Sequence, residues 1–178
     1  MANEQPITTT TSTTDTTSTT TTTTTTVIIV EEEEEVEVEV GQTYAFSIAE
    51  GSNDYWMLSN FILWQGASGV GVANDTNFQF HITEGLAENG TISFESVNYP
   101  GRYLRHSECD IWLNMGSGSI FRESASFIQR AGLAGAGGIS FESYDKPGHY
   151  LRVSGSRISL DPIDCCEDFN NDATFYPT

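Results

Sequence analysis

SFESVNYPGRYLRH, from Ser93 to His106, and SFESYDKPGHYLR, from Ser140 to Arg152, decide the reading of this chain. The two stretches agree over S-F-E-S-x-x-x-P-G-x-Y-L-R, with Pro100-Gly101 and Pro147-Gly148 between the Phe and the Tyr. Proline presets φ and glycine accepts a positive φ, so each stretch reads as strand, turn, strand. A third, weaker copy lies upstream. Phe46 leads after nine residues to Tyr55, as Phe94 leads to Tyr103 and Phe141 to Tyr150. This copy lacks the proline but keeps Gly51.

The period is near 47 residues, and each copy continues with a polar loop, a further short strand and a closing strand. The further strands are Ile111-Trp112-Leu113 and Ile158-Ser159-Leu160. The closing strands begin at Phe78-Gln79-Phe80, Phe127 and Phe175. Turns every ten or so residues and almost no helical periodicity predict an all-β chain. None of the three copies can bury its apolar face alone, so the expectation is a β-trefoil, with repeats at about 42–90, 91–137 and 138–178. The recurring Phe, Tyr, Leu and closing Phe are then expected in its core.

Upstream of the repeats the composition changes. Residues 8–26 hold sixteen threonines, two serines and one aspartate, too little apolar surface to offset chain-ordering entropy. Such a tract suits an O-glycosylated stalk, with Thr8, Thr13, Thr16, Thr19, Thr21, Thr23 and Thr25 among the acceptors, or a β-prone strand lent to another subunit. Val27–Val30, Glu31–Glu35 and then Val36-Glu37-Val38-Glu39-Val40 follow. The last alternates with period two and predicts a half-buried strand. Residues 1–41 are accordingly expected to be an extended arm outside the trefoil, able to join copies into an oligomer or filament through its exposed edge.

Charge excludes some functions. The 178 residues carry 7 Lys+Arg against 25 Asp+Glu, net −18. Every base follows residue 101, and such a surface is a poor partner for nucleic acid. The longest aliphatic run, Val27–Val30, is far too short to span a membrane. The amino terminus shows neither the basic start nor the apolar run of a secretory leader. Cys109, Cys165 and Cys166 fit one bridge plus a spare thiol or three buried free thiols, and neither they nor the three histidines have metal-ligand spacing. No cofactor is expected. Two sequons, at Asn74 and Asn89, fall in expected loops and, with the Thr tract, tilt the reading toward an extracellular or cell-surface location.

Over residues 42–178 the sequence resembles the arabinose-binding domain of α-L-arabinofuranosidase B enzymes, the family-42 carbohydrate-binding module. Its most specific pieces are the two stretches quoted above and Asp172-Ala173-Thr174-Phe175. The resemblance implies a non-catalytic β-trefoil whose copies each offer a shallow pocket for an arabinofuranose side chain of a polysaccharide. It also implies pocket residues: the His closing Y-L-R-H and the Asp opening D-A-T-F of the same copy, beside the Tyr. Here the candidates are His106 with Tyr103, Asp172 with Tyr150, and Asp75. No copy carries both groups, because Ser124 faces His106 in the pattern, Val153 stands with Asp172, and Leu58 with Asp75. No pair of carboxylates marks a glycosidase centre, so the chain is expected not to be an enzyme. The alternative is a structural subunit of a glycosylated filament that self-assembles through the arm.

Overall fold

The structure, a computed structural model, describes residues 36–66, 75–135, 137–163 and 168–178, all within one compact unit, Glu34–Thr178. The Thr tract, Val27–Val30, Glu31–Glu35, Asn74, Cys165 and Cys166 lie outside the described residues. The first copy folds as β1 (Thr43–Ser47), β2 (Tyr55–Ser59), β3 (Ile62–Gly66) and β4 (Gln79–Glu84). The second gives β5 (Ile92–Ser96), β6 (Tyr103–Ser107), β7 (Asp110–Asn114), a short helix α1 (Ser119–Ser124) and β8 (Phe127–Ala131). The third gives β9 (Ile139–Ser143), β10 (His149–Ser154), β11 (Arg157–Pro162), a helix α2 (Phe169–Asp172) and β12 (Tyr176–Pro177).

All twelve strands join one antiparallel sheet. β1 pairs with β4, β4 with β5, β5 with β8 and β8 with β9. Ile139 of β9 bridges Phe175, and β12 pairs back onto β1, so the ring closes into a barrel without a free edge. The other six strands form the hairpins β2–β3, β6–β7 and β10–β11, which meet through β3–β7, β7–β11 and β11–β3. The same order of pairings thus occurs once per copy.

The core explains the spacing of the aromatics. Phe46, Phe94 and Phe141 are fully buried and contact one another edge to face, with ring centroids 5.0–5.7 Å apart. Phe80, Phe127 and Phe175 are buried around them, as are Trp56, Leu104 and Leu151. The repeat tyrosines sit further out: Tyr55 and Tyr103 are half-buried, and only Tyr150 is buried. Glu95 and Glu142 of the two S-F-E-S motifs fasten the Pro-Gly turns. The amide of Gly101 donates to Glu95 Oε1 at 2.6 Å, and that of Gly148 to Glu142 Oε1 at 2.7 Å.

Three expectations are corrected. Val36–Val40 forms no strand. Val38 packs into the barrel core at 3% exposure, its backbone held in both directions by the Gln129 side chain (2.9 and 3.1 Å), while Val36 is half-buried and Val40 exposed. The supposed apolar edge is thus a plug for its own barrel, and the globular part begins before residue 42. Register also corrects the first copy: Tyr44 faces Phe80 as Ile92 faces Phe127 and Ile139 faces Phe175, so Phe80, not Phe78, is its closing aromatic. Finally, Cys109 is an exposed free thiol in the β6–β7 turn, contrary to the reading of three buried thiols. No helix among the described residues is long and apolar enough to cross a membrane.

Candidate functional site

His106 lies on β6 opposite Ile111, the position held by Leu58 opposite Leu63 and by Val153 opposite Ile158. Two apolar residues at this place show that it belongs to the core margin, and His106 is accordingly 6% exposed. Its Nε2 lies 2.7 Å from Oδ1 of Asp145, in the β9–β10 turn of the third copy. Ser143 Oγ donates to the same oxygen at 2.8 Å. Burial would raise the Asp145 carboxyl, but the hydrogen bonds from His106 and Ser143 outweigh it and hold the carboxyl below the usual range. An ionised carboxylate only accepts, so Nε2 carries the proton and Nδ1 is left a bare acceptor, buried without a partner. Burial lowers the His106 pKa against the opposing pull of Asp145, which keeps the ring neutral near pH 7.

The arrangement positions Asp145. Its side chain keeps 24% of its surface exposed, and no side chain among the described residues bonds Oδ2. His106 buttresses it from below and presents neither ring nitrogen to solvent. Tyr144, the preceding residue, donates to Glu88 Oε2 at 2.7 Å, a contact that raises its phenol above the usual range. Tyr144 also lines a shallow polar hollow with Ala87, Ser119, Arg122 and Glu123, between the start of α1 and the β9–β10 turn. An ionised acceptor next in the chain to a residue of a shallow polar hollow suits a ligand that offers hydroxyl donors.

The other candidates are placed as follows. Ser124, buried at the end of α1, donates to its own helix at Phe121 O, so the second copy has no carboxylate there. Tyr103 is half-buried, its phenol raised by burial and by the charge of Glu95. Tyr150 packs with Phe169, Ala173 and Leu133 in a small cluster. Asp172, at the end of α2, accepts from Arg152 Nη1 at 3.2 Å, and Arg152 Nε also reaches Asp161 at 2.8 Å. Burial raises the Asp172 carboxyl; the charge of Asp168 adds to this and Arg152 opposes it. Asp75 is exposed and caps its own turn, accepting from the Asn77 amide at 2.9 Å and Asn77 Nδ2 at 3.0 Å. Asn89 is exposed in the turn before β5.

Two assignments escaped the sequence. Three residues before the closing Phe stand Asp172, Ser124 and, once Phe80 is taken as that Phe, Asn77 rather than Asp75. The spacing carried the signal: Phe46 to Phe80 and Phe141 to Phe175 are each 34 residues, Phe94 to Phe127 33. Asp145 carried none, because its partner lies 39 residues away in another copy. Its counterpart in the second copy's turn is Asn98, whose Nδ2 donates to Asn77 Oδ1 at 2.7 Å.

Comparison with known proteins bears on these positions. The alpha-L-arabinofuranosidase B (ABFB) domain family matches residues 46–177. An alpha-L-arabinofuranosidase B of Emericella nidulans is 50% identical over 42 residues, which are 23% of this chain and 8% of that protein. A crystal structure of an arabinofuranosidase complexed with arabinofuranosyl-alpha-1,2-xylobiose superimposes with a TM-score of 0.72 at 23% identity, over 81% of this chain and 32% of that one. The BEL beta-trefoil superimposes with a TM-score of 0.59 at 12% identity, over 79% of this chain and 94% of that one. This chain thus corresponds to under a third of the arabinofuranosidases it matches, and by the span from Phe46 to Pro177 it belongs to the alpha-L-arabinofuranosidase B (ABFB) domain family.

Proposed function

We propose that the chain is a non-catalytic, arabinofuranose-directed carbohydrate-binding module with a β-trefoil fold, and that its working pocket is centred on Asp145. The observation that carries this reading is the His106–Asp145 contact of 2.7 Å. It fixes an ionised carboxylate in the β9–β10 turn, next in the chain to Tyr144 of the polar hollow, with Oδ2 left to accept from sugar hydroxyls. His106 acts through Asp145. The pocket is thus built from two copies, which restores the acid that Ser124 lacks. Asp172, tied to Arg152, is the anchor of a second and weaker pocket in the third copy.

Affinity electrophoresis through arabinoxylan tests the proposal. Retardation of the wild-type chain and its weakening in Asp145→Asn support it, and wild-type mobility unchanged by the polysaccharide refutes it. We assign the module to an extracellular setting on the same grounds, with Thr8–Thr26 as a stalk carrying O-linked sugars. A native mass equal to the sequence mass would remove the stalk. The filament alternative loses the edge on which it rested, since Val38 is spent within its own chain.

A further inference from the structure

The first copy has given up the charged design. Where the second has His106 and Asp145, it has Leu58 and an amide pair, Asn77 with Asn98 of the next copy, joined at 2.7 Å. Thr76 Oγ1 reaches Asn98 Oδ1 at 3.5 Å. Next to Asn98 in the chain stands Tyr99, 40% exposed, with its ring centroid 5.2 Å from that of Phe61, 42% exposed. The Arg102 guanidinium lies 5.0 Å from the centre of the Phe61 ring and forms no ion pair among the described residues.

Phe61 occupies its place at a cost. It is the second of two consecutive residues in the left-handed region, Asn60 at φ 53° and Phe61 at φ 61°, a turn in which glycine is the unstrained choice. In the equivalent turn of the third copy Gly155, at φ 61°, takes the place of Asn60 and Ser156 that of Phe61, so the left-handed second position is particular to Phe61. A bulky ring is kept in a strained turn although much of it remains in water, so folding alone does not account for it.

We propose that Tyr99 and Phe61, their rings inclined at 55° and one face of Phe61 covered by Arg102, form an angled stacking platform for a pyranose ring of a neutral glycan main chain, a ligand class distinct from the furanose side chain assigned to Asp145. Aromatic faces suit the C–H face of a pyranose, and the neighbouring Asn77, Asn98 and Arg102 offer donors and acceptors for hydroxyls at its edge. The amide pair in place of a carboxylate and the net charge of −18 select a neutral glycan over a polyanion. This inference rests on the carbohydrate-binding reading above and extends it to the main chain.

The test is calorimetric titration of the full chain with two probes, xylohexaose for the platform and methyl α-L-arabinofuranoside for the Asp145 pocket. Phe61→Gly, which suits the turn, and Tyr99→Ala should each weaken xylohexaose binding about tenfold, the size of one lost aromatic contact, and leave the arabinofuranoside unaffected. Tyr99→Phe keeps the ring and should bind like the wild type. Wild-type affinity for xylohexaose in Phe61→Gly overturns the platform. So does a wild type that binds the arabinofuranoside but not xylohexaose. A wild type that binds neither overturns the carbohydrate-binding reading with it.

Discussion

His106 was legible in the sequence as a site candidate; Asp145 was not. The motif Y-L-R-H marked the histidine, but what a side chain does depends on what stands across from it, and here that is a turn residue of the next copy. In the proposed pocket the histidine is the buried support and the aspartate, its side chain 24% exposed, the contact. Both ionisations make the folded chain sensitive to acid. Burial leaves folded His106 less ready to bind a proton than it is unfolded, so stability falls as pH drops through the ordinary histidine range. Asp145, held below its usual range, contributes stability above the ordinary carboxylate range, and this is lost as pH falls through its lowered pKa. Melting temperatures from pH 8 to pH 3 should therefore fall in two steps. His106→Asn should remove the upper step and Asp145→Asn diminish the lower, to which Glu142, also held below its usual range, contributes; a wild-type profile flat through the histidine range would contradict the buried neutral ring. His106→Ala should also cost about 1–3 kcal/mol in chemical denaturation, because Asp145 loses a hydrogen-bond partner and the core margin gains a void.

Strands were legible wherever the repeat carried both an aromatic and a turn signal, as at Phe94 with Pro100-Gly101 and Phe141 with Pro147-Gly148. The helices were not. SIFRES and FNND span only one to two turns, too short to display a 3.6-residue period, and they form where the chain must cross to the next barrel strand. Val36–Val40 misled for the opposite reason: its alternation is regular, but the Gln129 side-chain amide takes both the N–H and the C=O of Val38, so a side chain stands where a strand partner's backbone would. The turns give a clean prediction. Gly148 has φ 77° and nothing within 4 Å of where a Cβ would stand, so Gly148→Ala suffers backbone strain alone. It should lose about 1–2 kcal/mol of stability in urea denaturation, the cost of a left-handed residue with a Cβ, without loss of the fold. An unchanged midpoint would show that the Pro-Gly turn does not set the β9–β10 geometry.

Across the whole molecule, one aromatic cluster holds three copies together, and the amino-terminal segment contributes to it through Val38. Chains begun at residue 36 and at residue 42 should therefore differ. The first keeps the plug and should melt like the full chain. The second lacks the buried Val38 and both Gln129 contacts and should be less stable by about 2–3 kcal/mol in urea, from lost apolar burial and backbone hydrogen bonds. Equal stability of the two would return residues 36–41 to the arm. Copies that are unequal at their rims, with a charged pair in one, amides in another and an arginine-bound aspartate in the third, point to a module whose faces have diverged on a common barrel. That sugar is held at Asp145 is tested most directly by the amide spectrum of the isotope-labelled chain titrated with methyl α-L-arabinofuranoside. Binding there should give saturable shifts concentrated at Tyr144, Asp145, Lys146 and His106 and absent in Asp145→Asn; saturable shifts that leave these four residues unmoved, or no shifts at any sugar concentration, would contradict it.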